Sequence, residues 1–502
     1  MEKLRSRLGW PVLLMVLAFA FIGTRAISDP DEGRYTNVAL NMLDSGDWMH
    51  PQRQHEVGHW TKPPLTYWAI AASVGALGTS AWAARLPAAL SYLASIWLVT
   101  VAARWLLPGA GRLPGLVYAT ALLPLAASQI ITTDYLLSAF TTAAMAAFVQ
   151  ARFGVPAAAR RWLVVAWACL GLAFLTKGPP GLLPLLVMTA FDRLCGRPRQ
   201  TALFRWTGLL AFAAIGLPWY LASVSHHQGL LGYLLGSEVL ERVATDRFNR
   251  NGQWYGWLTV YGPVLLAGSL PWTLDWLGWW RALPASLRRW RDRSAREREA
   301  PRVLLALWLL LPLLVFCVSR SRLPLYVLPL LAPIALMVAA QRIDAGREAP
   351  RTGWLLGWIV LMLGLRVAWA QVPTHRDAGA WAEQIRARVA GPVHEVVFVE
   401  DMARYGLRLE LGAQVEKLAL RPLEGQPRFN PPFDEDVARE LGQFHGEGTV
   451  VWVCKQALWP QVQAVLAGQH YAARPLGGPF HGRVLFLVEP VPASPQPAPS
   501  AR

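Results

Sequence analysis

Charged and aromatic residues are concentrated in the loop that follows the first apolar segment. Three carboxylates stand beside an arginine in Asp29-Pro30-Asp31-Glu32-Gly33-Arg34-Tyr35, and a lysine follows in Trp60-Thr61-Lys62-Pro63-Pro64-Leu65. Ionisable groups at a membrane boundary are usually paired and usually functional. Carboxylates and cations could therefore converge on one pocket at the lipid surface. The alternative is a solvated loop whose charges only fix the end of the helix.

Other polar residues interrupt the apolar segments further along the chain. Asp134 stands where one apolar segment ends and the next begins, and a helix N-cap is its structural explanation. Lys177 stands between two more segments, where snorkelling to the interface would explain it. Glu238 and Arg242 are four residues apart and would also suit an ordinary helix ion pair. Each residue alone therefore has a structural alternative.

A pair of arginines is less easily explained by structure alone. Arg320 and Arg322 precede Leu323-Pro324-Leu325-Tyr326 on the predicted outer side, against the charge bias of the chain. A guanidinium donates two parallel hydrogen bonds to a phosphate. We therefore favour a role in binding an anionic lipid headgroup or phosphate.

The composition is that of a polytopic membrane protein. The 502 residues are 54% hydrophobic and 16% charged, include 25 tryptophans and have a mean hydropathy of +0.29. Segments long enough to cross about 30 Å of hydrocarbon recur from Trp10 to about Gln371, and in lipid such segments must be helices. The net charge of +16 does not indicate nucleic-acid binding, because the basic residues cluster in particular connections.

The basic connections predict the topology. Lysine and arginine before the first span, and eight arginines between residues 281 and 302, mark cytoplasmic segments. Counting spans from these points places the first loop, the region around Asp134, residues 223–254 and the tail after Gln371 outside. All the polar sites described above fall on that outer side.

The predicted fold is an α-helical polytopic membrane protein of about 11–13 spans with a small α/β C-terminal domain. We expect a transmembrane domain over residues 1–371, whose first periplasmic loop covers 28–81. A helix is predicted for Tyr35 to Leu43, and Leu65 to Leu77 is interpreted as a surface or re-entrant helix. An α/β domain is expected over 372–489, with a disordered tail over 490–502.

Several motifs, taken in order, resemble one family. They are DPDEGRY with the turn at Gly46 to Trp48, TKPPLTYW at Thr61 to Trp68, AARLPAAL at Ala83 to Leu90, TTDY at Thr132 to Tyr135, LTKGPPG at Leu175 to Gly181 and SRLPLYVLPLLAPIAL at Ser321 to Leu336. Their order and spacing resemble the bacterial lipid A aminoarabinose transferases, which are C-type glycosyltransferases related to the protein O-mannosyltransferases. The resemblance implies the fold of that class.

The resemblance also implies residue roles. Asp31 matches the catalytic or acceptor-orienting aspartate, and Asp134 matches the second acidic position. The basic residues around the donor phosphate are matched by Arg34, Lys62, Arg242 and Arg322. From the same motifs we assign Glu32 to the catalytic group and the remaining side chains, Tyr35, Lys177, Glu238 and Tyr326, to substrate binding.

The chain departs from the family pattern at two positions. Thr61 stands where the family often has an acidic residue before Lys-Pro-Pro, which argues against a metal site on that carboxylate, and Arg322 stands where lysine is common. We assign no metal ligand and no certain cofactor; a requirement for a divalent cation stays open. His226 and His227 are adjacent, so we interpret them as a surface pair rather than as metal ligands.

The resemblance implies an enzyme of the inner membrane whose active site faces the periplasm. It would transfer a sugar, aminoarabinose or a related one, from undecaprenyl phosphate to a lipid acceptor, most simply a lipid A phosphate. Its partners would be the lipid-linked donor, that acceptor and membrane lipids, and no nucleic acid. The alternatives are glycosylation of a protein or an envelope polysaccharide, and a transporter or flippase of lipid-linked sugars. A transporter would place charges inside its spans and often has two similar halves.

Overall fold

The protein is mostly helical, with one small sheet near its C-terminus. The structure is a computed structural model and describes residues 2–54, 57–196, 201–241, 250–347, 350, 352–372, 374–443 and 448–491. In chain order the α-helices are α1 (Glu2–Phe19), α2 (Asp31–Ser45), α3 (Leu65–Leu77), α4 (Ala81–Leu106), α5 (Leu113–Thr120), α6 (Leu122–Ala127), α7 (Thr133–Phe153), α8 (Ala159–Lys177), α9 (Leu183–Cys195), α10 (Trp206–Gly216), α11 (Pro218–His226), α12 (Leu230–Leu235), α13 (Gly256–Gly268), α14 (Thr273–Arg289), α15 (Arg293–Arg298), α16 (Ala300–Val318), α17 (Leu331–Asp344), α18 (Thr352–Ala370), α19 (Ala378–Arg388), α20 (Leu407–Leu411), α21 (Val437–Gln443) and α22 (Trp459–Gly468).

Short elements complete the secondary structure of the described residues. Four 3-10 helices cover Pro156–Ala158, Pro179–Leu182, Pro324–Leu330 and Gln456–Leu458, and a π-helix covers Gly236–Leu240. The strands are β1 (Gln52–Gln54), β2 (Val57–Gly58), β3 (Val393–Val399), β4 (Gln414–Ala419), β5 (Glu435–Asp436), β6 (Thr449–Lys455), β7 (Tyr471–Pro475) and β8 (Arg483–Pro490).

The chain packs as two compact units. The first, here called the membrane unit, comprises Met1–Arg25, Asp47–His50 and Trp60–Gln371. The second, here called the sheet unit, comprises Ala26–Gly46, Pro51–His59 and Val372–Arg502. The predicted loop over residues 28–81 was expected to belong to the membrane domain. Most of its first half packs instead with the C-terminal residues. A sequence-based boundary drawn along the chain does not capture such packing between distant segments.

The membrane unit contains six helices that are long and apolar enough to cross a bilayer, within the residues that the structure describes. They are Ala81–Leu106, Thr133–Phe153, Pro156–Lys177, Ala300–Val318, Pro324–Asp344 and Thr352–Ala370. The pair α10 and α11 would add a seventh; the two helices are bent by 48° at their junction. The polytopic helical character of the membrane unit is confirmed, and the number of 11–13 spans stays a prediction.

Several predicted spans are divided into shorter helices. The sequence predicts one span from Leu113 to Ile130. This segment contains α5 and α6, separated at Ala121, whose backbone is extended (φ −66°, ψ 136°). Pro218 begins α11 directly after α10 ends. Proline has no N–H to donate within a helix, so it favours such breaks. Leu65–Leu77 forms α3, a helix of 13 residues.

Helix α7 is one of the two most buried spans and positions the first group of polar residues. It is rich in alanine and threonine and packs against α4 and α8, because small side chains let neighbouring helices approach closely in a membrane protein. The helix begins after Thr132, whose hydroxyl accepts the N–H of Asp134 at 3.3 Å. Thr132 is therefore the N-cap, and the Asp134 carboxylate is available for other partners.

The sheet unit is built around a six-stranded sheet of order β5-β4-β3-β6-β8-β7. Strands β5, β4, β3 and β6 are parallel, whereas β8 is antiparallel to both β6 and β7. The sequence predicts strands at His394 to Val399 and Thr449 to Cys454, and helices at Ala378 to Val389 and Phe433 to Gln443. The two strands and the first helix are confirmed as β3, β6 and α19. The helix predicted from Phe433 begins at Val437 instead, because residues 435–436 pair with β4.

Helix α2 of the first loop belongs to the sheet unit. It extends the predicted helix Tyr35 to Leu43 by four residues at its start and two at its end. Gly46 ends it in the left-handed conformation (φ 70°), which glycine adopts without strain. The helix carries Asp31 and Glu32 in its first turn, where negative charge is favourable.

Candidate active site

A cavity of about 440 Å³ lies within the membrane unit. Most of its walls are apolar side chains from α8, α9, α11, α12 and α16. Ligand sites in proteins are typically apolar cavities of about 300–1,000 Å³ with a few well-placed polar groups. The polar residues of the lining include Thr61, Lys62, Asp134, Lys177, Glu238, Ser319, Ser321 and Tyr326. Its size and lining suit an amphiphilic ligand.

Lys177 and Asp134 form a buried ion pair at this cavity. Lys177 Nζ donates to Asp134 Oδ1 at 2.5 Å, and the two side chains are only 9% and 8% exposed. Lys177 ends α8 and Asp134 lies in the first turn of α7, so the pairing of these two helices brings them together. The Lys177 ammonium also lies 4.4 Å from the centre of the Tyr326 ring. Charge and aromatic face together hold the ammonium at the cavity wall.

A second lysine and carboxylate meet across the same cavity. Lys62 Nζ lies 3.5 Å from Glu238 Oε2 and 2.8 Å from the Thr61 carbonyl oxygen. Tyr233 donates its hydroxyl to Glu238 Oε1 at 3.1 Å. An ammonium donates up to three hydrogen bonds and carries a positive charge, so both lysines attract an anionic ligand. The cavity thus combines apolar walls with two cations able to hold a phosphate.

Five residues singled out from the sequence therefore line one cavity: Lys62, Asp134, Lys177, Glu238 and Tyr326. These residues are up to 264 positions apart in the sequence. None of their motifs alone indicated that they line one cavity. Buried charges cost desolvation energy that their mutual attraction only partly offsets. Two such pairs in one cavity are consistent with a functional site.

Arg322 is held in place by backbone carbonyl groups. Its side chain is 3% exposed overall and donates to the carbonyl oxygens of Asn251 (2.6 Å), Gln253 (2.7 Å) and Cys317 (2.9 Å). These bonds connect the chain after residue 250 to the end of α16. A phosphate-binding role for Arg322 stays a prediction, and its contacts are those of a structural residue. Arg242 lies outside the described residues.

The residues of the first loop divide into exposed and buried ones on α2. Asp31 and Arg34 form an ion pair, and their side chains are 58% and 31% exposed. Glu32 is 2% exposed and accepts the Ser28 N–H at 3.0 Å. Tyr35 is 7% exposed. Of these residues, Asp31 and Arg34 are the ones most accessible to a substrate, whereas Glu32 and Tyr35 take part in the packing of the sheet unit.

Some residues near the cavity were not identified from the sequence. Tyr220 lines it and donates its hydroxyl to the Phe174 carbonyl at 3.2 Å. Arg250 donates to the Tyr326 hydroxyl at 3.4 Å. The signal that points to Arg320 and Arg322, an arginine on the predicted outer side, applies to Arg250 as well. Ser321, which begins one of the motifs but has no predicted role, also lines the cavity.

The two adjacent histidines take part in an aromatic cluster beside the cavity. The rings of His50 and His227 lie 5.1 Å apart, and those of His227 and Trp60 lie 4.5 Å apart. Their Nδ1 atoms already have partners, since His226 bonds the Ala222 carbonyl and His227 the Ser223 carbonyl. Trp60 extends this cluster to the cavity wall.

A group of carboxylates in the sheet unit has spacing compatible with a metal ion. Oxygen atoms of Glu416, Glu435 and Glu440 lie within 4.8 Å of one another, and all three residues are buried. Gln54 donates to Glu416 at 2.5 Å, and Arg439 pairs with Glu435 at 3.2 Å. Burial and the neighbouring carboxylates raise the pKa values of Glu416 and Glu440 well above their usual range. Both groups are therefore protonated at neutral pH.

These raised pKa values predict how stability depends on pH. The folded protein holds protons that the unfolded chain releases near pH 4.5, so the free energy of unfolding falls as the pH rises from there towards 9–10. Glu440→Gln, a neutral mimic of the protonated acid, is expected to match the wild type at pH 5. At pH 9 we expect it to be more stable by about 1–3 kcal/mol. Thermal melting followed by tryptophan fluorescence measures the difference.

The exposed Glu424→Gln is the control, and we expect it to change stability at neither pH. If Glu440→Gln destabilised the protein at pH 9, ionised carboxylates would be the stabilising form, as they are in a metal site.

Part of the chain matches a known family model. Residues 12–226 match the family model described as dolichyl-phosphate-mannose-protein mannosyltransferase. The matched region contains α2, Lys62, Asp134 and Lys177, and so most residues of the candidate site.

Curated relatives extend the likeness beyond that domain. The chain is 31% identical over 360 residues to an undecaprenyl phosphate-alpha-4-amino-4-deoxy-L-arabinose arabinosyl transferase of Pseudomonas aeruginosa, which covers 68% of this chain and 62% of the relative. It is 30% identical over 370 residues to the enzyme of the same name from Edwardsiella ictaluri, covering 71% and 63%. The chain thus spans less than two thirds of the length of these relatives. They confirm the resemblance that the motifs indicated.

Solved structures share the fold over nearly the whole chain. ArnT from Cupriavidus metallidurans, solved bound to undecaprenyl phosphate, has a TM-score of 0.72 at 22% identity and covers 95% of this chain and 98% of its own. The archaeal oligosaccharyltransferase AglB from Archaeoglobus fulgidus has a TM-score of 0.52 at 12% identity, with coverage of 94% and 73%. The predicted C-type glycosyltransferase fold is therefore confirmed. With its apolar spans and these relatives, the chain is a multi-pass inner-membrane protein.

Proposed function

We propose that this protein is a glycosyltransferase that takes a sugar from a polyprenyl phosphate. The observation that carries the proposal is the cavity of the membrane unit. Its apolar walls suit the first units of a polyprenyl chain, and Lys62 and Lys177 suit the phosphate. A protein that only bridged membrane partners would not need two buried lysine–carboxylate pairs around a cavity.

The residue types fit the chemistry of this transfer. The bond between the anomeric carbon and the phosphate oxygen breaks, and an acceptor oxygen forms a new bond to that carbon. Positive charge develops on the sugar, and negative charge develops on the departing phosphate. The ammonium groups of Lys62 and Lys177 stabilise the phosphate as it leaves. Because the donor is already activated as a phosphate ester, no nucleotide-binding motif is required.

Asp31 is the carboxylate that we assign to the acceptor side of the reaction. The Asp31 side chain is 58% exposed, whereas the Glu32 carboxylate is buried and accepts a backbone N–H. With a hydroxyl acceptor, Asp31 would take the proton as the new bond forms. With an acceptor phosphate that is already ionised, Asp31 would orient the acceptor and stabilise the charge on the sugar. Arg34 holds the carboxylate in either case.

The relatives support the proposed class of donor. ArnT was solved with undecaprenyl phosphate, and the curated relatives are named for transferring aminoarabinose from that lipid. We therefore propose an undecaprenyl-phosphate-linked sugar, aminoarabinose or a related one, as donor. The resemblance of the motifs to lipid A aminoarabinose transferases supports a lipid A phosphate as acceptor. The family model, which describes protein mannosyltransferases, supports a protein acceptor as the second candidate.

The charge distribution supports a site that faces the periplasm. The basic connections assigned to the cytoplasm alternate with the segments that carry Lys62, Asp134, Lys177 and Glu238. The cavity that these four residues line would then be reached from the outer leaflet.

Mass spectrometry of lipid A tests the function directly. Lipid A from cells with the wild-type protein should carry an added sugar mass that is absent from cells without the protein. Lys62→Met should reduce that mass, while the exposed Lys455→Met serves as the control and should leave it unchanged. Unmodified lipid A, with the protein and its donor both present, would contradict the acceptor assignment. A sugar found on envelope proteins instead would support the second candidate.

A further inference from the structure

The chain before α2 is paired with the C-terminal part of the sheet unit. The Asp29 N–H donates to the Arg376 carbonyl at 2.9 Å, and the Ala378 N–H donates to the Ile27 carbonyl at 3.0 Å. These bonds align the residues before α2 with the residues before α19 as a short antiparallel pair. The start of α2 is thus fixed by a segment nearly 350 positions away in the sequence.

The Asp29 side chain adds a second attachment. Its carboxyl group is 2% exposed, and the Gly406 N–H lies 3.2 Å and 3.3 Å from its two oxygens. Burial raises the pKa of Asp29 to about 8, although the Gly406 N–H and the charge of Arg404 act to lower it. At neutral pH the group is therefore protonated, and it still accepts the backbone N–H. A hydrogen bond from a buried N–H is costly to lose.

Close packing at two glycines leaves no room for adjustment. A Cβ atom on Gly33 would lie 1.9 Å from Asp29 Oδ1 and 2.5 Å from the Gly406 nitrogen. A Cβ atom on Gly406 would lie 2.6 Å from Ala378 Cβ. Gly33 has an ordinary helical backbone, so space and not conformation requires glycine there. Alanine is otherwise the better helix former.

We propose that Asp29, together with Gly33 and Gly406, positions Asp31 for sugar transfer. Asp29 is thus a positioning residue, and the C-terminal region contributes to the reaction by fixing the first turn of α2. Asp31 and Arg34 stand within three residues of this contact, so a displacement of the turn moves both. A misplacement of about 1 Å in a reacting group can cost a factor of about 10² in rate. This inference rests on the proposed function of Asp31.

Gly33→Ala tests the close packing. We expect its kcat to fall at least about tenfold, while its affinity for undecaprenyl phosphate stays within about twofold, because Lys62 and Lys177 belong to the membrane unit. Gly442→Ala is the matched control, since Gly442 lies in α21 of the sheet unit with no neighbouring atom near its Cβ position. The control should keep wild-type kcat and affinity. Wild-type kcat in Gly33→Ala would overturn the proposal.

Two Asp29 variants separate positioning from charge. Asp29→Ala should lower kcat at least about tenfold, because the Gly406 N–H loses its acceptor. Asp29→Asn has the shape of the protonated acid and an oxygen that accepts the same N–H, so it should keep kcat within about threefold at pH 7. If Asn were as damaging as Ala, a carboxylate would be needed at this position, and the positioning role would be wrong.

Hydrogen exchange of the full-length protein gives a readout without activity. Peptides from residues 31–45 should exchange faster in Gly33→Ala and Asp29→Ala than in the wild type, Asp29→Asn or Gly442→Ala. Unchanged exchange in the first two variants would overturn the proposal even if their kcat were low. If the wild type transferred no sugar, the proposed function would fail, while the attachment of α2 would still be judged by this exchange.

Discussion

Replacing Asp31 with asparagine is expected to lower the rate of sugar transfer by about 10²- to 10⁴-fold. The Asp31 side chain is 58% exposed, so its loss leaves no cavity and no buried group without a partner. Its ion pair with Arg34 is exposed and contributes at most about 1 kcal/mol to stability. The protein should therefore fold and bind its donor normally while losing the carboxylate that we assign to the acceptor. Transfer to lipid A by purified protein in nanodiscs measures the rate.

Asp44→Asn is the matched control for this prediction. Asp44 lies on the same helix, is 50% exposed and pairs with an arginine, Arg408. Loss of that exposed pair should leave transfer within about threefold of wild type. Asp31→Asn with activity close to wild type would remove Asp31 from the reaction. Of the residues of the first turn of α2 assigned to the site, Arg34 would then be the accessible one that is left.

The sequence predicted the fold class because membrane helices and buried strands leave strong local signals. Apolar segments of about 20 residues identified α4, α7 and α16, and runs of valine flanked by polar residues identified β3 and β6. Breaks within spans were harder to predict. Ala121 has no local signal for the extended backbone that separates α5 from α6. Such a break depends on packing between helices.

The site was predictable to the extent that topology limits where charges can lie. Placing Asp134, Lys177 and Glu238 on one side of the membrane required only the distribution of basic residues. Which cation meets which carboxylate was not predictable, because Lys177 and Asp134 are 43 positions apart and meet through the packing of α7 with α8. The arrangement of the five residues around the cavity is a consequence of that packing.

Burial separated residues that look alike in the sequence. Glu32 stands next to Asp31, and the motif assigns both to the catalytic group. The Glu32 carboxylate, however, is buried and accepts the Ser28 N–H. Arg322 has the residue type of a phosphate ligand, but three backbone carbonyls accept its N–H groups. The burial of Glu32 and the bonds of Arg322 to Asn251 and Gln253 depend on three-dimensional packing that spacing does not encode. A charged residue in a motif is therefore weaker evidence for binding than a charged residue in a cavity.

Lys177→Met is expected to reduce kcat/KM for the donor by about 10²- to 10³-fold. The substitution removes a cation from the cavity and leaves the Asp134 carboxylate, 8% exposed, without its partner at 2.5 Å. An unpaired buried carboxylate repels a phosphate and also destabilises the fold by about 3–5 kcal/mol. Stability and donor binding must therefore be measured together, by thermal melting and by titration with undecaprenyl phosphate.

The double variant Lys177→Met/Asp134→Asn separates these two effects. It removes both charges, so stability should recover, whereas donor binding should stay weak because the cation is still missing. Arg152 and Asp192 form an equally buried pair at 2.6 Å, away from the cavity lining. Arg152→Met should cost stability but leave the affinity for undecaprenyl phosphate within about twofold. Recovery of donor binding in the Lys177/Asp134 double variant would show that the pair only supports the fold, and Lys62 would then be left as the lysine that binds the phosphate.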